Sequence, residues 1–211
     1  MRFSRFGAGL LAAGLALSLA ACGGNNDDSG SDLPSLSPTP SAAPTSAPTT
    51  TPASPAVLPV RSTQKYGALN LVLDHTAQPP ANALAALQTY EAYERGAHKS
   101  LATNVEDPNL AAKSTGQALQ MVRDVLRDQK AKKVRTGGTV TVTFKLVRAS
   151  GALAAFSGCY DQSKSVLVPA NGASYAGPGA KSYPRSPLTL IVTNMGGPWK
   201  VTEYNLKAGK C

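Results

Sequence analysis

The chain has two histidines, and an acid stands close to each. His98 follows Glu94 by four residues, about one helical turn. In an apolar pocket such a pair can hold and pass a proton; on a surface it is a solvated pair, the reading the sequence alone favours. Asp74 directly precedes His75 and reads as a loop pair. Asp161 follows Cys159 by two, at an expected hairpin turn, where its carboxylate suits a side-chain bond to the backbone two residues on. Glu203 alternates with Trp199 and Val201. It is the acid that strand alternation could place inside a sheet, although an outward orientation is favoured. The sequence carries no glycine-rich phosphate loop, nucleophile elbow or metal-ligand cluster. It therefore points to no catalytic set, no metal and no cofactor.

The three cysteines divide by position. Cys22 closes the run Leu19-Ala20-Ala21-Cys22. Before it stand two positive residues, Arg2 and Arg5, and an apolar stretch from 6 to 20 that is too short for a permanent membrane helix. Residues 1–21 read as a lipoprotein signal peptide. The order Leu-Ala-Ala-Cys resembles the bacterial lipobox, which implies acylation of Cys22 and a lipid-anchored protein on the extracytoplasmic face of the cell membrane. Export leaves Cys159 and Cys211 in an oxidising compartment with no Cys-x-x-Cys motif or histidine cluster. They are expected to form a disulfide pinning the end of the chain.

Residues 22–60 follow the anchor as a stalk of Ser, Thr, Pro, Ala, Gly, Asn and Asp. A segment with so little apolar surface cannot offset the entropy of ordering it. Its prolines favour an extended spacer, open to glycosylation at Thr-Pro pairs. Residues 61–211 are one domain's worth of chain. Two of the 21 basic and three of the 12 acidic residues precede residue 61. That leaves 19 basic and 9 acidic side chains, a net charge of +10. Such a surface suits anionic headgroups or wall polymers; outside the cell, nucleic acid is not an expected partner.

The elements that must position these side chains can be read from periodicity. LNLVLDH, within 61–78, is an edge strand or an approach to a helix. From Ala81, Leu84, Leu87, Tyr90, Ala97 and Leu101 recur at helical spacing. Asp107-Pro108 is a helix start. The following helix, with Ala118, Met121, Val122, Val125 and Leu126 on its apolar face, is expected to break near Ser114–Gly116. After Gly137-Gly138 the period becomes two, with Val140, Val142, Phe144 and Leu146 on one face. Residues 152–160 and 164–168 read as two strands joined by a turn at Asp161–Ser163. A Gly/Pro-rich loop follows, and a last hairpin turns at Gly196–Pro198. The class is α+β, with N-terminal helices packed on a curved antiparallel sheet of four or five strands.

Helices followed by an antiparallel meander closing on Gly197, Trp199, Lys200 and Val201 resemble the NTF2-like cone. With the lipobox, the stalk and the segment Cys159-Tyr160-Asp161-Gln162-Ser163, the chain is similar to secreted lipoproteins of high-GC Gram-positive bacteria. The resemblance implies an accessory or binding module at the envelope, with homodimers through the sheet as a common arrangement. The leading expectation is a non-catalytic binding or interaction module, its partner an envelope polymer or another envelope protein. The loop carrying Tyr175, Lys181, Tyr183 and Arg185 edges its cavity and is the candidate partner site. Two alternatives stand beside it. One is an isomerase- or dehydratase-type enzyme using the cavity. The other is an adaptor whose basic face, Arg123, Arg127, Lys130, Lys132, Lys133 and Arg135, rests on an anionic envelope surface.

Overall fold

Val60 offers its carbonyl to the His75 N–H at 2.9 Å, starting a hairpin of β1 (Arg61–Tyr66) and β2 (Leu69–His75). The computed structural model describes residues 59–211; residues 1–58, with Cys22 and most of the stalk, lie outside the described residues. Gly67 takes the left-handed conformation, φ 58°, that the two-residue turn requires. Leu69, Leu71 and Leu73 of β2 are buried. LNLVLDH is thus an inner strand, and β1 takes the edge.

Helix α1 spans Ala81–Thr103. Its second half is buried on nearly every side, at Tyr90, Glu91, Tyr93, Glu94, Gly96, Ala97, His98 and Ser100. Gly96 explains part of this closeness, because a Cβ there would come within 2.8 Å of the Leu110 backbone nitrogen on the next helix. That helix, α2 (Pro108–Lys113), starts as the sequence predicts. Asp107 caps it by accepting from the Asn109 N–H at 2.9 Å, with Pro108 in the first turn. The break at Ser114-Thr115 also agrees, and α3 runs Gly116–Lys132. Lys133, left-handed, ends it by donating its N–H to Gln129 and Lys130 carbonyls.

Two long strands follow, β3 (Val134–Ser150) and β4 (Leu153–Pro169). The expected turn at Asp161–Ser163 is not a turn. β4 is continuous there, and its pairing to β3 slips between Thr139 and Thr141, so residues 162 and 163 form a bulge. Asp161 stabilises that bulge by accepting from the Ser163 N–H (2.9 Å) and hydroxyl (2.6 Å). The local chemistry that marks a turn marks a bulge equally well. The Gly/Pro-rich loop holds a short helix, α4 (Pro178–Ser182), that the sequence did not reveal. β5 (Arg185–Thr193) and β6 (Lys200–Leu206) complete the chain.

The sheet has six strands in order β1-β2-β3-β4-β5-β6. All neighbours are antiparallel except β2 and β3, which the α1–α3 crossover makes parallel. The α+β class holds, with six strands in place of four or five and two of them before the helices. The core lies between α1–α3 and one face of the sheet, with Tyr90, Phe144 and Phe156 at its centre. Tyr90 meets Phe144 edge-to-face at 4.7 Å between ring centroids. The disulfide Cys159–Cys211 is formed, across a sequence separation of 52. Before it, Lys207 donates its N–H to the Pro187 carbonyl, so the C-terminal tail is held along β5 and tied to β4. Among the described residues no helix is long and apolar enough to cross a membrane.

Candidate functional site

Glu94 and His98 do share a face of α1, but not a solvated one. Relative exposure is 1% for Glu94 and 3% for His98, so the expected surface pair is an interior one. The helical spacing is what the sequence shows; the burial follows from α3 and β4 closing over that face. His98 Nδ1 faces the Glu94 carbonyl at 2.9 Å and the Glu94 carboxylate at 3.3 Å. Both are acceptors, so Nδ1 carries the ring proton in the neutral tautomer. Nε2 lies 3.1 Å from the Tyr160 hydroxyl, which then donates to it. Burial first, and the nearby Glu94 carboxylate second, hold the Tyr160 hydroxyl well above the usual tyrosine range. It stays protonated as a donor. The same two causes, with smaller effects from neighbouring tyrosines, raise Tyr204.

Glu94 is the odd member of this group. Its Oε1 and the Tyr90 hydroxyl are both buried without a hydrogen bond of good geometry, yet the two side chains are within reach of each other: burial first, then the charge and hydrogen bonding of Glu94, push the Tyr90 pKa up. No lysine or arginine accompanies it; its ion-pair partner is His98.

These residues stand on the wall of a cavity of about 380 Å³ between α1, α3, β3, β4, β6 and the α4 segment. Its walls are mainly apolar, including Ala97, Leu101, Met121, Val122, Val140, Val166 and Leu167. Tyr93, Tyr160 and Tyr204 add aromatic surface, and Gln129 adds a buried amide. Gly177 and Gly179 let α4 lie close over β4. A Cβ on the first would press on the Leu167 side chain at 3.1 Å, and one on the second on Gln162 at 3.0 Å. At the rim, Lys132 and Asp128 pair with each other at 2.8 Å, and Val125 is exposed.

The loop proposed to edge a cavity does so through Gly177–Ala180, not through its four named side chains. Tyr175 and Tyr183 are about half exposed, Lys181 is exposed, and Arg185 leans on Asp161 at 3.5 Å. Tyr175 is held by two backbone hydrogen bonds with Leu167, and the Tyr183 carbonyl accepts from Gln162. None of the four lines the cavity.

Glu203 is placed elsewhere, and the alternation argument for it is corrected. The β5–β6 pairing slips so that Val192 faces Val201 while Ile191 faces Glu203. Thr202 is the extra residue. Val201 and Tyr204, three apart, both point inward, and Glu203 is turned out. It lines a separate shallow depression with Val147, Thr189, Ile191 and Asn205.

His75 is no loop residue either. It ends β2 at 2% exposure, with Nε2 2.9 Å from the Pro59 carbonyl and Nδ1 3.1 Å from that of Ala77. The buried Glu91 carboxylate lies 3.8 Å from it and pairs with Arg95 at 2.6 Å. Asp74 turns away, to Arg61 at 3.4 Å. Half of the basic face is neutralised within the domain: Arg123 holds Glu106, Arg127 holds Asp124 and Lys132 holds Asp128. Lys130, Lys133 and Arg135 remain without an acid partner. Among the described residues no group of three or more His, Cys, Asp or Glu is arranged to hold a metal ion.

No protein-family model matches this sequence, and no curated protein is similar to it at a significant level. Among solved structures, the intermembrane space region of the chloroplast protein ARC6 is similar over 62% of this chain and the whole of that chain, at 16% identity and a TM-score of 0.43. A likeness that distant bears on neither fold family nor activity.

Proposed function

We propose that this protein is a lipid-anchored binding module on the extracytoplasmic face of the cell membrane. Its domain takes a small ligand in the cavity between α1, α3 and the sheet. The observation that supports it most is the cavity itself: a volume within the range of small-molecule sites, mainly apolar walls, and a few polar groups among the lining residues. The anchor reading rests on the lipobox at Cys22 and the stalk after it. Helices on one face of a sheet with long, bulged central strands are in keeping with an NTF2-like cone. The β1–β2 hairpin and its parallel pairing to β3 are departures from the meander expected of that family. An envelope polymer or envelope protein as partner, and homodimers through the sheet, belong to the same proposal.

The test is a small-molecule screen read by the ring resonances of His98 and Tyr160, run beside an Ala97→Phe variant that fills the cavity. Hits that move those resonances and are lost in Ala97→Phe support the reading. Hits that map only to other surfaces, or are indifferent to the substitution, end it.

A second reading, an isomerase- or dehydratase-type enzyme, is favoured by one arrangement: the chain from Tyr160 hydroxyl to His98 to Glu94 is a possible acid–base unit in an apolar setting. Turnover of any cavity ligand that persisted unchanged in His98→Gln would rule out that unit.

A further inference from the structure

The geometry points to a ligand that brings a positive charge: an ammonium group on a short apolar body, held with its head against Glu94 and the tyrosines. This rests on the cavity being a binding site and adds what it selects.

Two fully buried polar side-chain atoms of the cavity-lining residues make no hydrogen bond, and both are acceptors, Glu94 Oε1 and Gln129 Oε1. Gln129 donates one amide hydrogen to the Thr136 hydroxyl at 2.6 Å, and its oxygen has no bond. Of the donors near Glu94, Tyr160 is used on His98, His98 on the Glu94 carbonyl and Tyr93 on the Ala118 carbonyl at 3.2 Å; the Tyr90 hydroxyl lies beside the carboxylate but does not line the cavity. A ligand with acceptors only would leave the buried carboxylate oxygen as it is. A ligand with N–H donors satisfies it.

Charge separates an ammonium from a neutral donor. The Glu94 carboxylate is buried with a histidine as its one ion-pair partner, and buried carboxylates are ordinarily paired more fully than this. Around it Tyr93, Tyr160 and Tyr204 present aromatic surface to the same cavity, with Tyr93 and Tyr204 rings 5.6 Å apart. Aromatic walls beside a carboxylate are the combination that attracts an ammonium and does nothing comparable for an anion. The rim charges, Lys132 and Asp128, pair with each other and do not invert this preference. The domain's net positive charge opposes cations at long range, so the selectivity must come from contact inside the cavity.

The test uses the mature chain with Cys22→Ser, which leaves no acyl chain to compete for the probe. Hexylammonium, 1-hexanol and hexanoate share one body and differ in head charge. Each is titrated at neutral pH and followed by the His98 ring resonances. Hexylammonium is expected to bind about tenfold tighter than hexanol, with hexanoate weakest, and Glu94→Gln to remove that gap while hexanol still binds. If hexanol equals hexylammonium, or hexanoate binds tightest, the charge preference is wrong and the binding-module reading survives. If none of the three moves His98, both fall. Should Glu94→Gln not fold, the order of the three probes on the unsubstituted cavity decides alone.

Discussion

Glu91 shows what a single buried charge demands. It is 1% exposed and depends on Arg95, on the same helix one turn later, and on His75. Removing the arginine leaves a carboxylate with no full charge opposite it. Arg95→Met is therefore expected to cost about 3 kcal/mol, the range for breaking a buried pair from one side. Adding Glu91→Gln should restore part of it. Urea unfolding of both variants checks this; a single variant within about 0.5 kcal/mol of the parent would mean that Arg95 does not support Glu91.

Acid sensitivity also belongs to single residues. Burial pushes the Asp107 carboxyl up, but the Lys99 ammonium and the Asn109 N–H pull it further down, to a net value below the ordinary one. A carboxylate depressed on folding contributes stability that is fully present above its unfolded pKa, near 4, and is lost as pH falls through the folded value. Stability should therefore decline below about pH 4, and Asp107→Asn should flatten that decline while lowering stability at neutral pH through loss of the Lys99 ion pair, since asparagine still caps the helix. Denaturation midpoints between pH 2 and 7 for both proteins measure it. A parent curve no steeper than the variant's would remove Asp107 from the account. Both effects were partly legible in the sequence: Asp107-Pro108 announces a cap, and Glu91 with Arg95 announces a pair. That Glu91 is interior was not legible, since the same spacing serves a surface helix.

At the scale of elements, bulges decide more than alternation does. A slip at Thr202 turns Glu203 outward and Tyr204 inward; another, opposite Thr139–Thr141, lets one strand run on where a turn was expected. Sequence alternation assumes unbroken register, and one extra residue reverses every later side chain. The close packing of β4 on β3 is similarly hidden. A Cβ at Gly158 would collide with the Thr143 carbonyl oxygen, yet glycine in a strand reads first as a weakness. The disulfide is the element-scale feature that composition did foretell. It closes a loop of 52 residues, worth at most about 4 kcal/mol in the chain-entropy account. Cys211→Ser should lower stability by about 2–4 kcal/mol, and the parent under reducing conditions should match it. Equal unfolding midpoints with and without reductant would show that the tail adds nothing.

For the whole molecule, charge is distributed in a way the net value conceals. Among the described residues every acid except Glu203 lies within 4.0 Å of a lysine, arginine or histidine. The excess positive charge is thus carried by unpaired cations, spread over the surface and not confined to the C-terminal half of α3. On the proposed lipid-anchored reading, attachment to the envelope falls to the acyl chain at Cys22 more than to a basic face. In cell fractionation, Cys22→Ser is expected to move the protein from the membrane to the soluble exported fraction at ordinary salt. Retention at the membrane that disappears only in high salt would instead favour the basic surface.

The sequence by itself determined the α+β class, the start and break of the helices, the long strand after Gly137-Gly138 and the cysteine pair. These follow from local periodicity, capping chemistry and an even number of cysteines in the domain, which the chain itself is enough to specify. Tertiary structure alone decided that Glu94, His98 and Tyr160 meet at one cavity, that Glu203 does not, and that α4 covers β4. Those outcomes depend on which strand slips by one residue and which helix face another element covers. Neither is encoded in the spacing of the residues concerned, because the same spacing is compatible with water or with protein on the other side.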